Sequence, residues 1–297
     1  MNTMDWRGVI DAHSPLISAE QLRKLLGAPD VKVFDVRGTW STPERALPED
    51  YAKGHIPGAA FLDWTEHFIA QDVAPGLADI ADEDLAKRSF VTLGVNARDL
   101  VVLYDSSSHM QAGRIWLAMR HWGVTNVRVL NGGWAHWSAQ GLPISSELTV
   151  YAPGTLVPKL NAGLKIDLDG FLAQKDTACV IDARGPSNFA GKPEDPRTGH
   201  IPGAFNVPFS AMLDPDTGLF LGDNDIKATL SELAPAWKTM PLIASCGSGY
   251  AATVILLALH QIGAVGTLFD GSFAVWKQDP ARPVAQSVPA KRRTDNQ

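Results

Sequence analysis

The sequence is poor in cysteine. Its 297 residues include two, Cys179 and Cys246, with no CxxC pair. Histidine and cysteine do not cluster at metal-ligand spacing either. These absences argue against both a disulfide framework and a zinc site. We therefore expect no metal and no other cofactor.

Long apolar runs and an excess of basic residues are also missing. No run approaches the roughly 18 apolar residues of a membrane span, and no basic start leads into a long apolar segment. The net charge of −6 and a pI near 5.7 give no electrostatic footprint for nucleic acid. We expect a soluble, cytoplasmic protein with neither nucleic acid nor membrane as a partner.

An internal duplication organises the chain. Four blocks of the first half recur in the second half in the same order and at similar spacing. The pairs are VKVFDVRG (31–38) with ACVIDARG (178–185), GHIPGAA (54–60) with GHIPGAF (199–205), VVLYDSS (101–107) with PLIASCGS (241–248), and VLNGGWAHW (129–137) with TLFDGSFAVW (267–276). Four matched blocks predict two similar domains in tandem.

Each half alternates short apolar strands with helix-like stretches such as 112–122 and 251–261. This alternation is typical of an α/β domain with a mostly parallel sheet covered on both faces by helices. The stretch 143–165 is rich in Pro, Ser, Gly and Ala and has weak periodicity. We predict a first domain at 1–142, a linker at 143–165, a second domain at 166–285 and a tail at 286–297.

Cys246 opens the loop CGSGYAA, between the apolar run PLIAS and the helix-like segment AATVILLALH. A thiol at a strand-to-helix turn is well placed to act as a nucleophile. The glycines leave backbone N–H groups free to surround the sulfur, and the following helix N-terminus favours a thiolate. The alternative, a small buried residue ending a strand, fits the flanking Gly and Ser poorly.

The other positions limit the choice of nucleophile. Cys179 lies in a short apolar run with no glycine loop after it, so we interpret it as a core residue. Superposition of the two halves places Asp105 where Cys246 stands in the second half. An aspartate cannot carry transferable sulfur, so we expect the first domain to be non-catalytic and to shape the site.

The duplicated DxR, GHIPGA, cysteine-loop and (D/N)G blocks resemble those of tandem-domain rhodanese-like sulfurtransferases, over about residues 31–276. The loop CGSGYAA is similar to the CGSGVTA of 3-mercaptopyruvate sulfurtransferases in that family. The resemblance implies that Cys246 takes sulfane sulfur from a small donor, becomes a persulfide, and passes the sulfur to a thiol such as thioredoxin or glutathione, or to cyanide. Residues 247–251 (Gly247, Ser248, Gly249, Tyr250, Ala251) would surround the persulfide.

The charge of the loop residues bears on which sulfur donor the protein uses. Thiosulfate-using rhodaneses tend to carry basic residues directly after the cysteine, whereas Gly247, Ser248 and Gly249 are neutral. Mercaptopyruvate carries its carboxylate away from the sulfur, so cations outside the loop can bind it. The resemblance offers Arg184 and Arg197 as substrate-binding residues. Arg184 could instead form an ion pair with Asp182.

The chain departs from the family pattern at two places. Asn188 stands where the family pattern DxRxxxRF has a further arginine, which removes one carboxylate clamp. Mercaptopyruvate enzymes also supply an aspartate and a histidine that move protons with the loop serine. Here Thr65 replaces that aspartate, no HMLP stretch follows, and Ser248 is retained. Asp63 or His67 are possible substitutes, although we expect His67 on the surface.

Repeated residues are interpreted as structural. We expect this of the turn histidines His55 and His200. The same interpretation covers Asp35 and Asp182, and Trp137 and Trp276.

Alternative functions remain open. The two main alternatives are a thiosulfate:cyanide sulfurtransferase and a persulfide carrier that receives its sulfur from a protein partner. The loop lacks the arginine that closes the longer loop of phosphatases with this fold, which disfavours a phosphatase. A scaffold protein that has lost catalytic activity is disfavoured because Cys246 and the glycines of its loop are intact.

Overall fold

Each half of the chain folds around a five-stranded sheet. The computed structural model describes residues 5–39, 45–70, 78–106 and 108–287. The strand order is β1-β7-β6-β2-β5 in the first sheet and β8-β12-β11-β9-β10 in the second. All pairings in both sheets are parallel, with β2 beside β6 and β9 beside β11 at the two centres. The prediction of two duplicated α/β domains with mostly parallel sheets is confirmed.

The strands are β1 Leu16–Ile17, β2 Val31–Asp35, β3 Gly38–Thr39, β4 Arg45–Ala46, β5 Ala59–Phe61, β6 Leu100–Tyr104, β7 Val127–Leu130, β8 Lys165–Ile166, β9 Cys179–Asp182, β10 Phe205–Asn206, β11 Leu242–Ser245 and β12 Gly266–Phe269. β3 and β4 form a separate antiparallel pair. The helices are α1 Ala19–Leu25, α2 Pro48–Lys53, α3 Glu83–Thr92, α4 Met110–His121, α5 Gly133–Ala139, α6 Leu168–Gln174, α7 Pro186–Ala190, α8 Asp223–Leu233, α9 Ala251–Gln261 and α10 Ser272–Trp276. Short 3₁₀ turns occur at Trp6–Gly8, Ala162–Leu164, Lys175–Thr177, Phe209–Met212 and Pro235–Lys238.

The central strands are buried on both faces. All residues of β6 and β11 are buried, as expected for parallel strands covered by helices. Cys179 lies in β9 with no exposed surface, which confirms it as a core residue, and burial raises the pKa of its thiol to about 11.

One apolar cluster is shared by the two domains, and each domain also has a cluster of its own. The largest cluster of buried side chains includes residues of both halves, and α4 packs against α9. A Cβ at Gly113 of α4 would lie 2.6 Å from Oγ1 of Thr253 in α9, so the helices approach closely there. None of the helices in the described ranges is long and apolar enough to span a membrane.

The repeated histidines have matching structural contacts. Nδ1 of His55 lies 2.8 Å from the carbonyl of Tyr51, and Nδ1 of His200 lies 2.8 Å from the carbonyl of Phe189. Each imidazole stacks on the ring of that same residue, with centroids 3.8 and 3.6 Å apart. The prediction that these histidines have a structural role in the repeated turn is therefore confirmed.

The other repeated residues also match. Asp35 and Asp182 pair with arginines two positions later. Trp137 and Trp276 donate from Nε1 to proline carbonyls, each at 2.9 Å. Both pairs have the structural role predicted for repeated residues.

The segment predicted as a linker packs on the first domain. Ser145 forms a backbone bridge with His55, and the hydroxyl of Tyr151 donates to the carbonyl of Gly58 at 2.7 Å. The segment has no regular element until a 3₁₀ turn at Ala162–Leu164, and β8 begins at Lys165. The domain boundaries stay a prediction, and residues 288–297 of the predicted tail lie outside the described residues.

Candidate active site

Cys246 directly follows β11, at the carboxyl edge of the second sheet. Its loop, residues 246–251, leads into α9, so the sulfur lies ahead of a helix N-terminus. The N–H of Gly249 donates to Sγ of Cys246 at 3.1 Å, and the N–H of Cys246 donates to Oγ of Ser272 at 3.1 Å. Cys246 is 2% exposed. The loop therefore holds the sulfur against a backbone donor inside the fold.

The backbone conformation at position 249 requires glycine. Its φ of +97° lies in the region that L-residues avoid, and this conformation turns its N–H toward the sulfur. The sequence predicted that loop glycines allow such donors.

The remaining loop residues lie in different surroundings. Ser248 is half-buried, whereas Tyr250 is buried and packs edge-on against Trp64 of the first domain, with ring centroids 5.5 Å apart. Ala251 begins α9. The bulky residue at position 250 thus fills the domain interface beside the loop.

A cavity of about 330 Å³ adjoins the loop at Gly247. Its lining residues are Arg184, Ser187, Asn188, Gly191, Lys192, Arg197, Thr198, Gly199, Gly247, Phe273, Ala274 and Lys277. Four of them are basic and none is acidic, so we call it the cationic cavity. It suits a small anion.

Arg184 lies in the cationic cavity, but Asp182 engages its guanidinium. Nε and Nη2 of Arg184 donate to both carboxylate oxygens, and Nη2 also donates to the carbonyl of Gly199 at 2.8 Å. In the first domain Arg37 repeats this arrangement with Asp35 and the carbonyl of Gly54. The repetition favours the structural alternative for Arg184, and its role toward substrate stays a prediction.

Arg197 and Asn188 also line the cavity. The guanidinium of Arg197 donates to the carbonyls of Arg282, Lys277 and Asp279 at 2.8–3.0 Å, and so fixes the turn after α10. Asn188 is exposed. The structure therefore brings together all three predicted substrate-binding residues, with both arginines already engaged by protein groups.

Two lysines of the cavity were missed by the sequence reasoning. Lys192 and Lys277 line it, and neither forms a salt bridge within the part of the chain that the structure describes. Lys277 follows the repeated Trp276, where Ser138 follows Trp137 in the first domain. The contrast between repeated and unrepeated residues was the signal that could have found Lys277.

The first-domain segment FLDWTEHF does not rebuild the expected proton-handling group. The N–H and hydroxyl of Thr65 donate to Asp63 at 2.9 and 2.6 Å. His67 is half-buried rather than on the surface, and its Nδ1 lies 3.1 Å from Oγ of Ser89, in its own domain. Burial lowers the pKa of His67. Trp64 of this segment contacts the Cys246 loop through the ring of Tyr250.

Asp105 occupies the corresponding loop of the first domain, directly after β6. Its carboxylate accepts the N–H groups of His109 and Ala112 at 3.0 and 2.9 Å. Its carbonyl accepts the N–H of Trp134, as the carbonyl of Cys246 accepts that of Phe273. The duplicated loop thus surrounds a negatively charged group with backbone donors.

We expect Asp105→Ala to lower the free energy of unfolding by about 2–4 kcal/mol, because two buried N–H groups lose a charged acceptor. Asp105→Asn, which keeps one carbonyl oxygen, should lose less. Chemical denaturation of the two variants and the wild type measures the difference. Equal stability of Asp105→Ala and the wild type would contradict a structural role for this carboxylate.

Within the described residues, His, Cys, Asp and Glu do not form a group of three or more able to hold a metal.

Comparison with known proteins adds a family match. The model of the rhodanese-like domain matches the chain twice, at residues 18–140 and 167–279. The crystal structure of SseA from Escherichia coli, described as a 3-mercaptopyruvate sulfotransferase, superposes with a TM-score of 0.78 at 28% identity. The superposed region covers 87% of this chain and 98% of the SseA chain.

Two bacterial relatives match over nearly their whole length. A probable 3-mercaptopyruvate sulfurtransferase of Pseudomonas aeruginosa is 34% identical, over 91% of this chain and 97% of the relative. A putative thiosulfate sulfurtransferase, SseB, of Mycobacterium tuberculosis is 33% identical, over 92% of this chain and 97% of the relative. Relatives of similar identity thus carry names with different donors.

Proposed function

Because the chain belongs to the rhodanese-like family, we propose that it is a sulfurtransferase that carries sulfur as a persulfide on Cys246. The observation that carries the proposal is the sulfur of Cys246, which accepts a loop N–H beside a cavity with four basic and no acidic residues. The N–H of Gly249 and the N-terminus of α9 lie beside this sulfur, and a cysteine reacts as a nucleophile in its thiolate form.

The donor we propose is 3-mercaptopyruvate. Thiosulfate has its negative charges close to the transferred sulfur, yet the loop itself contains no basic residue. The basic residues lie in the cationic cavity, beyond Gly247, where a carboxylate remote from the sulfur can reach them.

The reaction follows from this placement. The thiolate of Cys246 attacks the sulfur of mercaptopyruvate, an S–S bond forms, and the C–S bond breaks. The carbon fragment leaves as the enolate of pyruvate and takes up a proton. An acceptor thiolate then attacks the outer sulfur, leaves as a persulfide, and restores the thiolate of Cys246. The acceptor thiols we propose are thioredoxin and glutathione; cyanide as the acceptor would instead attack the outer sulfur and leave as thiocyanate.

Steady-state kinetics with each donor and one common acceptor test the donor assignment. We expect kcat/KM to be higher for mercaptopyruvate than for thiosulfate, because the cations lie away from the loop. The reverse order would favour the runner-up, a thiosulfate:cyanide sulfurtransferase. Persulfide on Cys246 without turnover of either donor would favour a carrier fed by a protein.

A further inference from the structure

A buried arginine of the first domain forms an ion pair with a carboxylate of the second domain. Arg114, on α4, is fully buried, and its Nη2 pairs with Oδ1 of Asp270 at 2.7 Å. The same Nη2 donates to the carbonyl of Ala78. Lys165 pairs with the other carboxylate oxygen of Asp270 at 3.0 Å. Two cations thus share one carboxylate at the domain interface.

The guanidinium of Arg114 lies against the Cys246 loop. A Cβ placed on Gly249 would be 3.1 Å from Nη1 of Arg114 and 3.5 Å from its Cζ. Gly249 is the residue whose N–H donates to the sulfur of Cys246. The positive charge therefore packs directly behind the backbone that holds the sulfur.

Part of this guanidinium has no hydrogen-bond partner. Nε and Nη1 of Arg114 are buried and make no hydrogen bond among the described residues. A buried charge that is incompletely paired is costly. Such a cost is expected where the charge serves the chemistry of a neighbouring group.

Two carboxylates, those of Asp270 and Asp79, lie near the charge of Arg114. Burial would raise the pKa of Asp270, but Arg114 and Lys165 outweigh it, so the pKa is lowered and Asp270 stays ionised. Burial and the charge of Asp270 raise the pKa of Asp79. The equivalent helix of the second domain, α9, contains neither Arg nor Lys. Arg114 therefore belongs to the unrepeated part of the molecule.

We propose that Arg114 is a positioning residue for sulfur transfer: it places, from the first domain, the positive charge that the Cys246 loop lacks, and it supports the Gly249 backbone that donates to the sulfur. A cation behind the loop stabilises the thiolate and the persulfide anion of Cys246. The proposal rests on the proposed function of Cys246. It gives the first domain a part in the chemistry although Asp105 replaces its cysteine.

Four variants separate charge from structure. Arg114→Met removes the charge, Arg114→Lys keeps it without the planar guanidinium, and Asp270→Asn removes the partner while leaving the arginine charged. Arg120→Met is the matched control, a half-buried arginine of the same helix whose Nη1 lies 3.1 Å from Nε2 of His260. The single-turnover rate of persulfide formation on Cys246 and the rate of its alkylation by iodoacetamide are measured, together with Tm.

We expect Arg114→Met to slow both reactions by roughly tenfold, the effect of losing one charge-assisted interaction. Arg114→Lys should restore most of the rate, Arg120→Met should react like the wild type, and Asp270→Asn should react as fast or faster. Wild-type rates in Arg114→Met would overturn the proposal. Equal slowing in Arg114→Met and Asp270→Asn without rescue by lysine would also overturn it, since that result indicates a structural role.

The same four variants also give an answer if Arg114→Met does not fold or if the wild type forms no persulfide. If Arg114→Met does not fold, alkylation of Asp270→Asn decides, because the charge role predicts no slowing and the structural role predicts slowing. If the wild type forms no persulfide on Cys246, the proposed function fails. The alkylation rates of the variants then still support or overturn the role of Arg114 toward the thiolate.

Discussion

Cys246→Ser is expected to abolish sulfur transfer from every donor. Serine keeps the size of the side chain, but its hydroxyl is a far weaker nucleophile than a thiolate and cannot form a persulfide. After incubation with mercaptopyruvate, intact mass spectrometry should show one added sulfur atom on the wild type and none on the variant. The loop should stay folded, because Ser can accept the N–H of Gly249 as Cys does.

Cys179 provides the internal control. Burial raises the pKa of its thiol to about 11, so near neutral pH it is protonated and enclosed in β9. Cys179→Ala should therefore keep the persulfide on Cys246 and most of the activity. Sulfur found on Cys179, or persulfide formation that survives in Cys246→Ser, would contradict the assignment of the nucleophile.

Asn188→Arg is expected to lower KM for mercaptopyruvate. Asn188 is exposed on the wall of the cationic cavity, at the position where the family pattern has an arginine. Arg184 and Arg197 are already engaged by protein groups, so a new guanidinium adds a free bidentate donor for the carboxylate. One charged hydrogen bond of about 1.5–3 kcal/mol corresponds to a change of roughly 10- to 150-fold. Steady-state kinetics with both donors measure the effect.

Asn188→Gln is the matched control, because it lengthens the side chain without adding charge. It should leave KM near the wild-type value. Lys277→Ala should change KM in the opposite direction to Asn188→Arg, since it removes a cavity cation that has no salt bridge within the described part of the chain. Unchanged mercaptopyruvate kinetics in both Asn188→Arg and Lys277→Ala would show that the carboxylate binds elsewhere.

The sequence alone predicted the fold and the nucleophile candidate. Four blocks repeated in one order require two copies of one domain, and β6 and β11 do occupy equivalent central positions in the two sheets. Cys246 could be singled out because a strand, a glycine loop and a helix are consecutive in the chain. Their geometry depends on local backbone preferences, which a sequence displays directly.

The sequence was less informative about side chains that reach across the fold. It offered Arg184 as a substrate ligand or an ion pair with Asp182, and only the structure showed the contacts to Asp182 and Gly199. It also suggested His67 as a substitute for the missing histidine. That imidazole lies near Ser89 of its own domain instead, after a tight turn in which the N–H of His67 donates to the carbonyl of Asp63.

The composition, the duplication and the local pattern around Cys246 were thus determined by the sequence, since they depend on neighbouring residues. The surroundings of the sulfur were decided by the tertiary structure. Arg114 and Asp270 are 156 positions apart, and they meet where α4 packs against the second domain, with Asp270 directly after β12. The proposed action of the Arg114 charge on the Cys246 thiol depends on this packing, because charges interact more strongly where burial lowers the effective dielectric constant.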